Sequence, residues 1–136
     1  MITAVDTNVL IDVFGADPKF GPASAAVLRR CSREGRLVAC DVVWAEAVSV
    51  FPSGLVAVDL MGQLGVEFDA VGHAAAVMAG DAWRAYRERG GKRTRLVADF
   101  IVGAHAAAQA DRLFTRDRGF YRTYFAGVDV LDPQHA

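Results

Sequence analysis

The chain has 136 residues, is 53% hydrophobic and 23% charged, and carries a net charge of −1 with two cysteines and three histidines. That length fits one domain, spanning residues 1–136, able to bury about two-thirds of its surface. Two cysteines, Cys31 and Cys40, are too few for a disulfide framework, and no run reaches the roughly 18 apolar residues of a membrane span.

In chain order, MITAVDTNVLID opens with a short strand over Ile2–Val5 that runs into Asp6, then a hydroxyl, an amide and an apolar helical start. An acid there is costly where another Val would serve, so Asp6 needs a reason. Pro22 and Gly35 bound a helix from about Ala23 to Glu34. Leu37–Ala39 reads as the second strand. Asp41 is placed to cap a helix through Trp44, Val48 and Phe51, and Pro52-Ser53-Gly54 breaks it so that Ser53 caps the next. A third strand follows at Val66–Phe68, then helices from about Gly72 to Arg89 and Val97 to Gln109, and strands at Arg112–Thr115 and Val128–Leu131. Strands separated by helical segments predict an α/β fold, a parallel sheet of about five strands with helices on both faces.

Charge is distributed unevenly along this pattern. Ten basic residues and four acids lie between Arg84 and Arg122, so that segment, which includes Arg93, carries +6; the five basic and twelve acidic residues elsewhere make −7. Such a run is ordinarily a solvated face, but it also lets a polyanion lie against one half of the molecule.

In an open parallel sheet, ligands bind beyond the carboxyl ends of the strands. Asp6 follows the first strand, Asp117 lies just past the fourth, Asp99 begins a helix, and Glu46 sits in the early turns of the helix after the second strand. Taken singly, Asp6, Asp99 and Asp117 could each be a helix cap; Glu46, in the apolar VVWAEAVSVF, is harder to explain that way. Two carboxylates about 5 Å apart repel by roughly 3 kcal/mol at an effective dielectric of 20, so four on one rim need a cation or a proton. The donors are hard oxygens, and His73, His105 and His135 are scattered; His105 lies roughly 120° around its helix from Asp99. Mg²⁺ or Mn²⁺ is therefore expected over zinc.

VDTNVLID, the Glu within VVWAE, VADFIVGAHA and LFTRDRGFYRTYF together resemble, in order and spacing, the PIN-domain family, and specifically the VapC-type toxins of bacterial toxin–antitoxin pairs. The resemblance covers nearly the whole chain. It implies a Mg²⁺/Mn²⁺-dependent endoribonuclease with Asp6, Glu46, Asp99 and Asp117 as the catalytic acids, and Asp6, Asp99 and Asp117 as the metal ligands. It further implies that Thr7, Asn8 and Thr115 hydrogen-bond and orient the carboxylates, and that the protein forms homodimers that bind a VapB-type antitoxin. Arg116 and Arg118, flanking Asp117, are the candidates to hold the RNA phosphate. The segment Ser53–Gly65 departs from many relatives in having no Arg or Lys. A soluble, cytoplasmic protein is expected.

Other readings fit less well. A phosphate-accepting receiver domain needs a lysine on a late strand, whereas the only lysines are Lys19 and Lys92; a haloacid-dehalogenase-type phosphatase needs Asp-x-Asp, and Asp6 is followed at the second position by Asn8. A non-catalytic α/β binding module with acids as structural caps is the alternative that remains.

Overall fold

The computed structural model describes residues 1–92 and 95–134, so Arg93 and His135, both counted above, lie outside the described residues. In order the elements are β1 (Ile2–Val5), α1 (Thr7–Phe14), α2 (Gly21–Glu34), β2 (Arg36–Ala39), α3 (Asp41–Val50), α4 (Gly54–Leu64), β3 (Val66–Phe68), α5 (His73–Glu88), α6 (Val97–Gln109), β4 (Arg112–Phe114), α7 (Arg118–Tyr124) and β5 (Asp129–Leu131). All five strands are parallel in the order β3-β2-β1-β4-β5.

The central strands are nearly continuous apolar runs because helices cover both faces of the sheet. Ala4, Val5, Leu37, Val38, Leu113 and Phe114 are all buried. The chain runs outward from β1 to β2 and β3, then returns to place β4 on the other side of β1, so the strand order reverses between β1 and β4. Such a reversal opens a crevice at the carboxyl ends of the two strands. Their register pairs Val5 with Phe114, which sets the next residues, Asp6 and Thr115, side by side.

Helix α6 brings a further acid to this rim. Gly72 N–H donates to Gln109 Oε1 at 2.8 Å, and Tyr86 packs on Phe100 with ring centroids 5.3 Å apart, so α5 and α6 run antiparallel. Gly103, inside VADFIVGAHA, has no room for a side chain, since a Cβ there would collide with the Phe125 ring.

Several local expectations shift. Asp41 does not cap α3: Cys40 holds the cap position with no side-chain bond, and Asp41 is the first helical residue, where its charge meets the helix dipole. Ser53 does cap α4, its Oγ accepting from Val56 N–H at 3.2 Å. β4 ends at Phe114 rather than Thr115, and the aromatic stretch after Asp117 forms the short helix α7. No single described helix is long and apolar enough to cross a membrane.

Candidate active site at the carboxyl rim

Asp6 is the first residue beyond β1 and caps α1: its Oδ1 accepts from Thr7 N–H at 2.7 Å. Its other oxygen, Oδ2, accepts from Thr115 Oγ1 at 2.8 Å and from the Tyr121 hydroxyl at 3.1 Å. The residue is only 7% exposed. Burial pushes the carboxyl up to about 6; the hydrogen bonds from Thr115, Thr7 and Tyr121 pull the other way, and the charge of Glu46 adds to the rise. Among the described residues Asp6 is thus a carboxylate solvated by neutral protein donors, with no side-chain cation bonded to it.

Thr115 is the hub of this arrangement. Fully buried, it donates to Asp6 and accepts from the backbone N–H of Asp117 at 3.0 Å and from Asn8 Nδ2 at 3.3 Å. Asn8 in turn accepts from Arg116 N–H at 3.1 Å, so the β4–α7 turn is tied to the first turn of α1. Thr7 Oγ1 donates to Glu46 Oε1 at 2.9 Å. Glu46 itself is exposed, although its neighbours in sequence are apolar, because α3 buries only the narrow stripe of Val43 and Ala47, and Glu46 lies beside that stripe.

Asp99 and Asp117 are held differently. Asp99 is the third residue of α6, half-buried, and its Oδ2 accepts from Leu96 N–H at 3.1 Å, so it caps its own helix. Asp117 is half-buried at the cap position of α7, makes no side-chain cap bond, and accepts from Arg95 Nη1 at 2.5 Å. Both acids nevertheless bear on the same point as Asp6. Burial raises the Tyr121 phenol far above its usual range, and the charges of Asp6, Asp99 and Asp117 all act on it in that direction, so Tyr121 remains a proton donor at any physiological pH.

Among the described residues, no three carboxylate, imidazole or thiol groups stand close enough together to form a ready metal site. Asp117 is drawn to Arg95 and Asp99 to Leu96 N–H. The chemistry of the donor set still fits a hard divalent cation, since every candidate ligand is a carboxylate oxygen. His105 is no part of it: its buried ring bonds Asp69 Oδ2 at 2.8 Å.

The flanking arginines are engaged. Arg116 pairs with the buried Asp12, Nε to Oδ2 at 2.5 Å, and stacks over Phe20 at 4.3 Å; Arg118 pairs with Asp132 at 2.9 Å. With Lys19 and Gly119 they line a cleft of about 410 Å³ that reaches Asp117. Arg112, counted in the basic segment, is instead a buried structural residue, bonded to Thr3 and Glu34 at the start of β4.

Two residues of the site escape a reading of the sequence alone. Tyr121 sits in an aromatic run that reads as core, and Arg95 in a charge run that reads as solvated surface. The signal for Tyr121 was its place four residues after Asp117, one helical turn on; for Arg95 there was none.

The PIN domain family model matches residues 3–126 of the chain. No curated protein sequence matches it significantly. Among solved structures, the chain is similar to one in VapBC2 from Rickettsia felis bound to a DNA fragment from their promoter, with a TM-score of 0.76, 16% identity and coverage of 97% of this chain and 98% of that one. It is likewise similar to one in VapBC-1 from nontypeable Haemophilus influenzae (TM-score 0.74, 18% identity, coverage 98% and 99%). A third likeness is to VapC20 of Mycobacterium tuberculosis, a sarcin-ricin loop cleaving toxin (TM-score 0.59, 14% identity, coverage 87% and 93%). At these identities the likeness shows the fold.

Proposed function

The chain belongs to the PIN-domain family, and from that premise we propose that it is a Mg²⁺- or Mn²⁺-dependent endoribonuclease, the toxin of a toxin–antitoxin pair. One observation carries the reading: at the crevice between β1 and β4 a buried carboxyl, Asp6, is pushed up to about 6 by burial while Asp99 and Asp117 act on the same tyrosine hydroxyl that bonds it. A buried acid perturbed in this way, in a cleft and beside further acids, is a functional-site candidate. The toxin role draws on the fold shared with VapBC proteins and with a toxin that cleaves the sarcin-ricin loop.

In this reading Asp6, Asp99 and Asp117 would hold the cation. When bound, such an ion acidifies water and offsets the charge that develops on a phosphodiester under attack. Every other step belongs to the chain. Thr115 and Tyr121 keep Asp6 in one rotamer, and the Thr7 hydroxyl steadies Glu46, which is exposed and would accept the proton of the attacking water. Arg116 and Arg118 each keep N–H groups beyond those given to Asp12 and Asp132, and these would hold phosphates of the RNA strand in the cleft beside Asp117. The partners in this reading are a VapB-type antitoxin and a second copy of the chain, the latter covering the apolar face of α4, where Leu55 is 86% and Val58 58% exposed. The setting is the cytoplasm.

The test is cleavage of a structured RNA by the purified chain with millimolar Mn²⁺ and with EDTA, its mass read by light scattering in the same buffer. A dimer that cuts only with metal is expected. No cleavage in Mn²⁺ would return the acids to structural caps in a binding module, and a monomeric mass would remove the second copy.

A further inference from the structure

Arg95 is a cation inside the site that the chemistry above does not use. It lies in the segment between α5 and α6, and its Nη1 donates to Asp117 Oδ2 at 2.5 Å with both side chains about one-third exposed. Two further contacts define its place. The guanidinium lies 4.2 Å over the Phe120 ring, and Phe120 is itself packed edge-on against Phe100 and Tyr121, with centroids 5.2 and 5.0 Å away. The charge of Asp99 also acts on Arg95, in the same sense as that of Asp117. A single side-chain cation therefore answers two of the three acids that would hold the metal, from a seat built by α7.

Resting on the reading of this rim as a divalent-cation site, we propose that Arg95 is a built-in competitor for the metal: it holds Asp117 in an ion pair that the cation must break, and so sets the metal concentration at which the site fills. The argument is one of magnitudes. A partly exposed ion pair contributes modestly, and a divalent ion on the same carboxylate contributes more, so Arg95 weakens metal binding without preventing it. The Phe120 seat keeps the displaced guanidinium close by a cation–π contact, which makes the exchange reversible. Arg116 and Arg118 do not share the role, since their carboxylate partners are Asp12 and Asp132.

A purely structural tie between the α5–α6 segment and α7 makes a different prediction from a competitor. Removing a tie leaves metal affinity unchanged or lowers it; removing a competitor raises it. Arg95→Met keeps the alkyl stem over Phe120 and deletes the charge, whereas Arg95→Lys keeps a charge without the planar fork. Isothermal titration of Mn²⁺ into the full-length chain should show binding about fivefold tighter in Arg95→Met than in wild type, which converts to about 1 kcal/mol at 1.4 kcal/mol per tenfold. Arg95→Lys should fall between them. Binding by Arg95→Met where wild type shows none would support the proposal even more strongly. Equal or weaker binding by Arg95→Met overturns the competitor while leaving the metal site in place. Mn²⁺ binding by neither protein removes the metal site and the competitor together.

Discussion

Asp6 and Asp117 stand at the ends of neighbouring strands, yet the chain holds them in opposite ways. Asp6 is buried and bonded to a hydroxyl, a phenol and a backbone amide; Asp117 is half-buried and bonded to a guanidinium. Neutral donors orient a carboxylate without cancelling its charge, so Asp6 keeps its pull on a cation and bears the cost of that charge in its burial. A guanidinium cancels what it touches. The Asp6 side of the site is a fixed anchor, and the Asp117 side is an exchangeable one, held by contacts that another cation can replace. The difference follows from where the chain places them: Asp6 directly follows two strands in register, while Asp117 sits at the start of a seven-residue helix, without a side-chain cap bond, and is reached by a side chain from another segment.

The most forceful way to break this comparison is Asp6→Asn. The carboxyl titrates at about 6 in the folded chain against an ordinary value of 3.8, so between those values the folded state holds the proton and the unfolded state does not. Stability from the protonated form is therefore complete below about pH 4 and lost as pH rises to about 6. Two pKa units amount to about 3 kcal/mol. In EDTA at pH 7.5, Asp6→Asn should raise stability by about 1–3 kcal/mol, and the gain should vanish at pH 4. If the rim is the proposed ribonuclease site, RNA cleavage should fall by roughly a thousandfold or more, since Asp6 would then be a ligand to the metal. Denaturant melts at the two pH values check the first claim; a variant less stable than wild type at pH 7.5 would mean that hydrogen bonding to Asp6 outweighs its burial.

Thr115→Val is next in size and opposite in sign. Valine has nearly the same shape but abandons Asp6, Asp117 N–H and Asn8 Nδ2 together. Leaving buried partners unpaired should destabilise the chain by about 1–3 kcal/mol. Cleavage should fall about 10- to 100-fold, as when a group that orients a metal ligand is removed. Because Thr115 pulls the Asp6 carboxyl down, the variant should also push Asp6 higher still, which NMR titration of the side-chain carboxyl can read. An unmoved Asp6 titration would show that Thr115 serves the turn and not the acid.

How far the sequence carries this picture depends on the range of the interactions. The sheet was legible because its central strands are apolar without alternation, and the rim was legible because Asp6 and Asp117 lie just past strand ends. Helix caps were legible where a hydroxyl could act, at Ser53, and misplaced by one residue where none did, at Asp41. What the sequence could not show was pairing across long separations. Arg116 binds Asp12, 104 residues away, and Arg95 reaches Asp117, 22 residues on; the sequence offers Arg116 as a phosphate contact and Arg95 as part of a charge run, and neither partner is visible until the fold brings them together. Tyr121 was hidden for another reason, since a ring inside an aromatic run serves the core and only its hydroxyl serves the site. Glu46 shows the converse, an acid in an apolar segment that stays exposed because a helix needs only one buried side.

The smallest effect separates the two modes of holding most sharply. Among the described residues Asp99 accepts one hydrogen bond, from Leu96 N–H in the first turn of α6, and is half-buried. Asn accepts the same bond, so Asp99→Asn gives up only a favourable dipole contact and, in return, some repulsion from Asp117. In EDTA its stability should match wild type to within about 0.5 kcal/mol, unlike the gain expected of Asp6→Asn. In millimolar Mn²⁺ the two proteins should diverge. Wild type should melt at a higher temperature by mass action, and Asp99→Asn should lose most of that shift because its affinity for the ion is gone. Stability in EDTA thus distinguishes the buried anchor from the half-buried acid, whereas the response to Mn²⁺ treats them alike if both are ligands. An Mn²⁺-induced shift that survives in Asp99→Asn would make Asp99 a helix cap and nothing more, and would leave the cation to Asp6 and Asp117 alone.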